Sequence, residues 1–363
     1  MIYFAKKFFS VSPVKKVRIV DIAKYAGVSI GTVDRVIHNR GEVAEETREK
    51  VRKVIEELNY KPDILARTLV MKKKWRFAAL IPGSYNQVPF WDDPLKGMHR
   101  ALSEISHFGV TLEEYLFSVF DLATFEQKSA ELLKNKPDGV VFAPLYARHA
   151  ISFLRKCRDL SIPVVLINAF VPLRYPLAFI GQNSRQSGRV AAHLFDRMLP
   201  PDALIAVVSI AGPIEEQLHI SEREKGFREY FSRSPLAAGK TVITIHVRSN
   251  ETRAIQQALR EYLDENPSVS GIFVVNSNAG KVAEALQILN LPVSLLAGYD
   301  LTPENRLHLE KGNITFLIGQ KPDLQGYRGL MDLYNALVMQ KPVERISYMP
   351  IDIITRENLM YYE

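Results

Sequence analysis

Residues 17–38, VRIVDIAKYAGVSIGTVDRVIH, hold two helix-length runs on either side of one glycine, and that spacing decides the fold of the N-terminal region. In the first run Val20 and Ala23, with Ile19 and Ile22, fall at helical spacing and predict an inward apolar face. Gly27 then allows a tight turn at positive φ. Ser29 stands where a second helix, Ile30 to His38, needs its N-cap. On that helix Val33, Val36 and Ile37 share one face. Ile30, Gly31, Asp34, Arg35 and His38 share the other, because i and i+4 neighbours stack. A third helix is predicted from Glu45 to Leu58, with Val51, Val54, Ile55 and Leu58 as its inner stripe. Two short helices about a glycine, supported by a third, make an all-α helix-turn-helix module with little room for a catalytic cleft. The helix pattern alone fits a protein-docking bundle as well.

Charge favours the first of these. Residues 1–76 hold 18 Lys+Arg against 9 Asp+Glu, a net of +9, while the remaining 29 Lys+Arg and 31 Asp+Glu leave the rest at −2. A polyanionic partner is therefore expected at the first fifth of the chain. Residues 1–16, MIYFAKKFFSVSPVKK, have an apolar run broken by Lys6 and Lys7, too interrupted for a signal-peptide core. We expect this lead to be poorly ordered, with Val14 as an alternative translation start. No apolar stretch approaches the ~18 residues of a membrane span. Cys157 is the only cysteine, so neither an intrachain disulfide nor a cysteine-cluster metal site is expected, and a reducing, cytoplasmic setting fits. The eight histidines show no metal-ligand spacing. No metal and no cofactor are expected.

Beyond the basic joint MKKKWR, residues 71–76, short apolar runs alternate with amphipathic segments for some 280 residues: FAALI, VTLEEYLF, GVVFA, PVVLIN, LAFIG, ALIAVVSI, TVITIHV, GIFVVN, VSLLAGYD and ITFLIG, with a last strand near SYMPIDII. Strand–helix alternation predicts parallel sheets covered on both faces. About ten strands exceed one comfortable sheet, so two lobes are expected, with ligand at the carboxyl ends of the strands between them. No GxGxxG follows the first strand, and neither GxxxxGK[ST] nor GxSxG occurs. Polar residues instead stand singly after strand ends, the pattern of a binding cleft without a nucleophile or an acid–base pair.

The elements DIA, AGVS, TV-RV, ETREKV, ELNY-P and AR-L, spread over about 50 residues, resemble the N-terminal segment of the lactose-repressor (LacI/GalR) family. The resemblance implies a dimer on near-palindromic double-stranded operator DNA, with the second helix in the major groove and a hinge helix in the minor groove. It places Ile30, Gly31 and Arg35 at base-reading positions and Ser29, Thr32 and His38 near phosphates. Asp63 to Val70 matches the hinge, where Leu69 takes the place of a wedge between base pairs. Domain bounds follow: a lead at 1–16, the helix-turn-helix domain at 17–62, hinge and linker at 63–76, a two-lobed domain at 77–355 and a tail at 356–363. The large region in turn resembles the ribose-binding type of type I periplasmic sugar-binding domains. That implies a carbohydrate effector held by Phe90 and Trp91 in PFWDDPLKGMHRAL, with Tyr146, Asn168, Arg223, Asn276, Asp300 and Gln320 at strand ends and the cleft edge.

The chain departs from the family pattern at several positions. Arg18 replaces a capping Thr or Ser, Ala44 stands where a capping serine is common, and Gly31 removes a side chain from a reading position. Asp34 replaces a serine that commonly contacts phosphate; on the reading face it either orients Arg35 or accepts from a cytosine amino group. Asn168 and Ala169 stand where aspartate and arginine are usual, which leaves a different or larger polyol, a sugar acid or a phosphorylated sugar open as ligand. The expectation is a ligand-responsive transcriptional regulator that is not an enzyme. A solute-binding transport component is disfavoured by the helix-turn-helix and a sugar-modifying enzyme by the absent catalytic constellation.

Overall fold

The structure is a computed structural model that describes residues 17–37, 41–58, 60, 73–84, 89–210, 217–233 and 239–362. The chain divides into two compact units, Met1–Arg67 and Thr68–Glu363.

The first unit contains α1 (Ile19–Ala26), α2 (Ile30–Ile37) and α3 (Glu45–Glu57). Its core is Ile22, Ala23, Ala26, Val33, Val36, Val51 and Val54. Val20, expected to face inward, is 41% exposed. At about 100° per residue it lies some 200° from Ile22, and the stripe that buries runs through Ile22, Ala23 and Ala26 instead. Gly27 ends α1 at φ 65, its N–H reaching the Ala23 and Lys24 carbonyls. Ser29 Oγ accepts from Thr32 N at 3.1 Å, which caps α2. An arginine side chain cannot accept a hydrogen bond, so α1 relies on Asp21, whose carboxylate takes the Arg18 N–H at 2.9 Å. Ala44 provides no side-chain cap for α3; Glu45 and Glu46 in its first turn complement the helix dipole instead.

In the second unit β1 (Trp75–Pro82), β2 (Val110–Phe117), β3 (Gly139–Phe142), β4 (Val164–Ile167) and β5 (Ala178–Gly181) begin one sheet. β6 (Leu204–Ile210), β7 (Thr241–Val247), β8 (Val269–Val274), β9 (Leu295–Tyr299) and β10 (Phe316–Gly319) begin another. Two short strands, β11 (Ile346–Tyr348) and β12 (Asp352–Ile354), complete them in the orders β11-β5-β4-β3-β1-β2 and β12-β10-β9-β8-β6-β7. Only β12, against β10, runs antiparallel among the described strand pairs. The helices are α4 (Asp92–Ile105), α5 (Leu122–Asn135), α6 (Ala147–Asp159), α7 (Ser184–Met198), α8 (Leu218–Arg233), α9 (Thr252–Glu265), α10 (Ala279–Leu289), α11 (Pro303–Glu310) and α12 (Pro322–Leu333). Their apolar faces bury the inner strands on both sides, so β3, β4, β5, β9 and β10 are buried at every residue.

SYMPIDII, read from sequence as one strand, is two strands in different sheets. Pro350 lies between them and has no N–H to continue a ladder, so the chain changes lobes there. The chain thus crosses between lobes three times: from β5 into α7, from β10 into α12, and from β11 into β12. Gln182, buried, gathers these crossings by donating from Nε2 to Gly319 O and to Pro350 O, each at 2.8 Å.

Candidate functional site

In the first unit, α2 buries Val33 and Val36 and turns the opposite side outward. Ile30 is 52% exposed, Ser29, Gly31 and Arg35 are exposed, and Thr32 and Asp34 are half-buried. Ser29 Oγ and Thr32 Oγ1 lie 2.9 Å apart, so these two hydroxyls are held by each other at the helix start. Ile30 and Gly31 in the first turn of α2 and Arg35 in its last turn leave an aliphatic residue, a glycine and a cation exposed along the helix, which suits insertion into a groove of DNA. His38 and Leu69 lie outside the described residues.

In the second unit a cavity lies between the lobes at the carboxyl ends of the strands. Its volume is about 60 Å³. Six of the expected ligand residues line it: Phe90, Trp91, Asn168, Arg223, Asn276 and Gln320. Phe90 and Trp91, on the turn Pro89–Trp91 ahead of α4, pack edge to face at 4.9 Å and form an apolar wall. Asn168 follows β4 at φ 67; its N–H bonds Ile180 O at 3.1 Å and Gln325 Oε1 at 3.0 Å. Asn276 Nδ2 donates to Ile210 O.

The other wall is polar, and most of its side-chain atoms are hydrogen-bonded to one another. Arg223, buried, donates from Nη1 to Val275 O at 2.9 Å and from Nη2 to Gln320 Oε1 at 2.6 Å, and its guanidinium lies 3.7 Å above the Tyr299 ring. Gln320 Nε2 in turn donates to both Asp300 oxygens, at 2.9 and 3.0 Å, and Ser277 Oγ reaches Asp300 Oδ2 at 2.7 Å. Burial pushes the Asp300 carboxyl up to about 6 against the pull of Arg223, Ser277 and Gln320. Burial likewise lifts the Tyr299 phenol to about 12.

Two of the expected ligand residues are placed differently. Asp300 stands behind Gln320 and faces a neighbouring, larger cavity of about 880 Å³ that also takes in Asp92, Lys96, Arg306 and Lys321. Tyr146 stands at the rim, where its backbone pairs with Gln217 of the opposite lobe and its hydroxyl donates to Ser118 O at 3.2 Å. The residue that sequence reasoning missed is His219, on the cavity wall one helical turn before Arg223. The i, i+4 spacing within LHISEREKGF was the available signal. Burial, and after it the Arg223 charge, hold its imidazole well below the usual histidine range, so the ring is neutral. Among the described residues no helix is long and apolar enough to cross a membrane, and no cluster of His, Cys, Asp or Glu could hold a metal ion.

Comparison with known proteins meets both halves of this description. Residues 18–63 match the family of bacterial regulatory proteins of the lacI type, and residues 78–341 match the periplasmic binding protein domain. The ribose operon repressor of Halalkalibacterium halodurans is 29% identical over 290 residues, covering 78% of this chain and 80% of that protein. A Bacteroides fragilis protein assigned as a LacI transcriptional regulator superposes with a TM-score of 0.72 at 31% identity, covering 80% of this chain and 100% of that structure. A glucose-galactose binding protein from Geobacillus stearothermophilus shares the fold alone, at TM-score 0.71 and 20% identity over 79% of this chain and 99% of that one. The helix-turn-helix unit, the two-lobed sheet order and these matches agree that the chain belongs to the LacI family of DNA-binding transcriptional regulators, with a helix-turn-helix domain ahead of a periplasmic-binding-protein domain.

Proposed function

We propose that the protein is a transcriptional repressor that acts as a homodimer on a near-palindromic operator and whose DNA affinity is set by a small carbohydrate held between the lobes. It works by binding and not by catalysis, in the cytoplasm, where its DNA is. The observation that carries the ligand half is the cavity itself: an aromatic wall at Phe90 and Trp91 facing a polar wall at Arg223, Asn276 and Gln320. A sugar ring presents an apolar C–H face and a rim of hydroxyls, which is the complement of those two walls. The name of the ribose operon repressor points the same way.

On the DNA side, Arg35 is the residue proposed to contact guanine, Ile30 and Gly31 to lie against bases, and Ser29 and Thr32 to approach phosphates. His38 and Leu69 are proposed for phosphate and minor-groove contact on the family pattern. Asp34 lowers affinity through phosphate repulsion and returns selectivity, so Asp34→Ser should tighten non-specific binding and flatten operator preference. Ligand binding shifts the lobes and with them the spacing of the two hinges, a coupling of ~1–3 kcal/mol in proteins of this kind.

The test is selection of bound duplexes from a random-sequence pool by the full-length protein, followed by titration of the selected duplex with salt and with sugars. A near-palindromic sequence whose binding weakens steeply with salt, and shifts with one sugar, is the expected result. Recovery of no specific sequence would falsify the regulator reading.

A further inference from the structure

Three side chains on the cavity wall each keep one buried polar atom without a hydrogen-bond partner among the described residues: Asn168 Oδ1, Arg223 Nε and His219 Nδ1. They come from both lobes, Asn168 from the end of β4 and the other two from α8. Buried polar groups in folded proteins are nearly always paired, so three orphans around one cavity mark where ligand atoms belong. Their chemistry is specific. Asn168 Oδ1 only accepts, Arg223 Nε only donates, and a neutral imidazole Nδ1 does one or the other according to tautomer.

The charge around them is balanced. Gln320 joins the Arg223 guanidinium to the Asp300 carboxylate, accepting at 2.6 Å from the one and donating at 2.9 and 3.0 Å to the other. The facing wall of Phe90, Trp91 and Asn168 carries no charge. His219 is neutral, held so by burial and by the neighbouring Arg223 charge. A phosphate or carboxylate entering the cavity would find both terminal nitrogens of Arg223 already engaged, a single Nε–H left to meet it, and a carboxylate directly behind Gln320. A hydroxyl would find both donors and acceptors waiting.

We infer that the cavity takes an uncharged polyol of monosaccharide size, with Asn168 accepting from one hydroxyl, Arg223 Nε donating to a second, and His219 a ligand contact that reads a third. This rests on the effector reading proposed above and narrows it: of the classes left open by the Asn168–Ala169 substitution, sugar acids and sugar phosphates are excluded. It also assigns a role to His219, which neither the family pattern nor the strand ends had singled out.

The experiment is calorimetry on the full-length protein at pH 7.5, where Asp300 is ionised. The probes are neutral pentoses, hexoses and inositols, with the phosphate and aldonate of each sugar. At least one neutral compound is expected to bind, and its charged derivatives to bind at least tenfold more weakly. The monodeoxy derivatives of that compound are then compared on the wild type and on His219→Ala. The variant should lose about tenfold or more for the parent and nothing for the single derivative that lacks the hydroxyl His219 reads. His219→Leu, which fills the space without a polar atom, serves the same comparison if the alanine variant does not fold. A charged derivative binding more tightly than its parent overturns the inference; so does equal loss for every deoxy derivative, or binding by no neutral compound. An anionic ligand that still shifts DNA affinity would sink this inference and leave the regulator reading standing. A neutral ligand that binds as described but leaves DNA affinity unchanged would do the reverse.

Discussion

From β5 into α7, and again from β10 into α12, the chain makes the same move. The first reads IGQNSRQSG, residues 180–188, and the second IGQKPDLQG, residues 318–326. Each move carries a helix out of one lobe and onto the opening helix of the other: α7 onto α8, and α12 onto α4. At both contacts a glycine stands opposite a carbonyl, with Gly188 against Arg223 O and Gly326 against Pro94 O. The partner helices return the contact through Gly226 against Arg185 O and Gly97 against Asp323 O. In that alignment Phe90, Trp91 and Pro94 correspond to His219, Ile220 and Arg223, and Asn168 corresponds to Asp300, each a non-glycine residue at positive φ just after its strand. The scaffold is thus repeated while the side chains at the wall differ: apolar and neutral in one lobe, charged and hydrogen-bonded in the other. Backbone packing fixes where the two walls stand, and a handful of side chains decides what lies between them.

The largest effects should come from what the lobes share. A side chain at Gly188 or Gly326 would overlap a backbone carbonyl that cannot move without parting two helices. Gly188→Val and Gly326→Val should each cost about 4 kcal/mol of unfolding free energy, at the upper end for overpacking. Denaturant unfolding reads this directly. If one lobe tolerates the change and the other does not, the two crossings are not the same joint.

The next effect should come from where the lobes differ. Asp300 has its carboxyl raised from 3.8 to about 6, chiefly by burial. A carboxyl raised in the folded state adds most to stability when protonated, below its unfolded pKa, and that contribution is lost as pH rises through the folded pKa. The window is therefore about pH 4 to pH 6, and a carboxyl displaced across it alters stability by ~3 kcal/mol. Asp300→Asn makes this position resemble Asn168 and removes the titration. The stability of the variant relative to wild type should rise across that window and then level off. A flat difference from pH 4 to pH 7 would mean that the carboxyl is not desolvated as its surroundings indicate.

How far the sequence carried these points follows from physics particular to each. Long buried strands such as LIAVVSI and amphipathic helices leave periodicity that can be read along the chain, so the alternation and the two sheets were legible. β11 and β12 have three residues each, too few for a period, and only the proline between them hints that they part. Val20 was misplaced because a single β-branched residue fits the edge of two possible stripes on an eight-residue helix. Phe90, Asn168 and Gln320 were found because residues that follow strands lie at the cleft in this architecture, whereas Arg223, expected at a strand end, lies inside α8 and was marked by the family resemblance alone. His219, on the same helix, was not, because no resemblance marks it and a lone histidine there is chemically silent until its unpartnered nitrogen and its cavity are seen together.

A third contrast sets Gln182 against its counterpart Gln320. Gln182 ties Gly319 O and Pro350 O, and Gln320 ties Arg223 to Asp300. Gln182→Ala strands two backbone carbonyls and should cost about 2 kcal/mol of stability while leaving the cavity wall chemically unchanged. Gln320→Ala should act first on ligand affinity, since it separates the two charges that the wall balances. Paired unfolding and calorimetry would show the split. Equal losses in both measurements for both variants would mean that hinge and wall are one cooperative unit.

The smallest effect tests whether the repeat extends to the backbone of a helix end. Helix α5 stops at Lys136, in the left-handed region at φ 46, with its N–H on Leu132 O. Its counterpart α9 stops at Asn266, at φ −130, where no side chain is strained. Lys136→Gly removes a Cβ from a conformation that disfavours one, and should gain about 0.5–1 kcal/mol after the greater freedom of glycine in the unfolded chain is subtracted. Asn266→Gly has no such strain to relieve. It forfeits the bond from Asn266 Nδ2 to Tyr262 O, 2.9 Å, and should lose a similar amount. Opposite signs at corresponding positions would show that the lobes share their packing joints and diverge in local backbone as well as at the wall. Stabilisation by both glycines would instead place the strain in the helix ends generally, and leave the wall as the only place where the two halves differ.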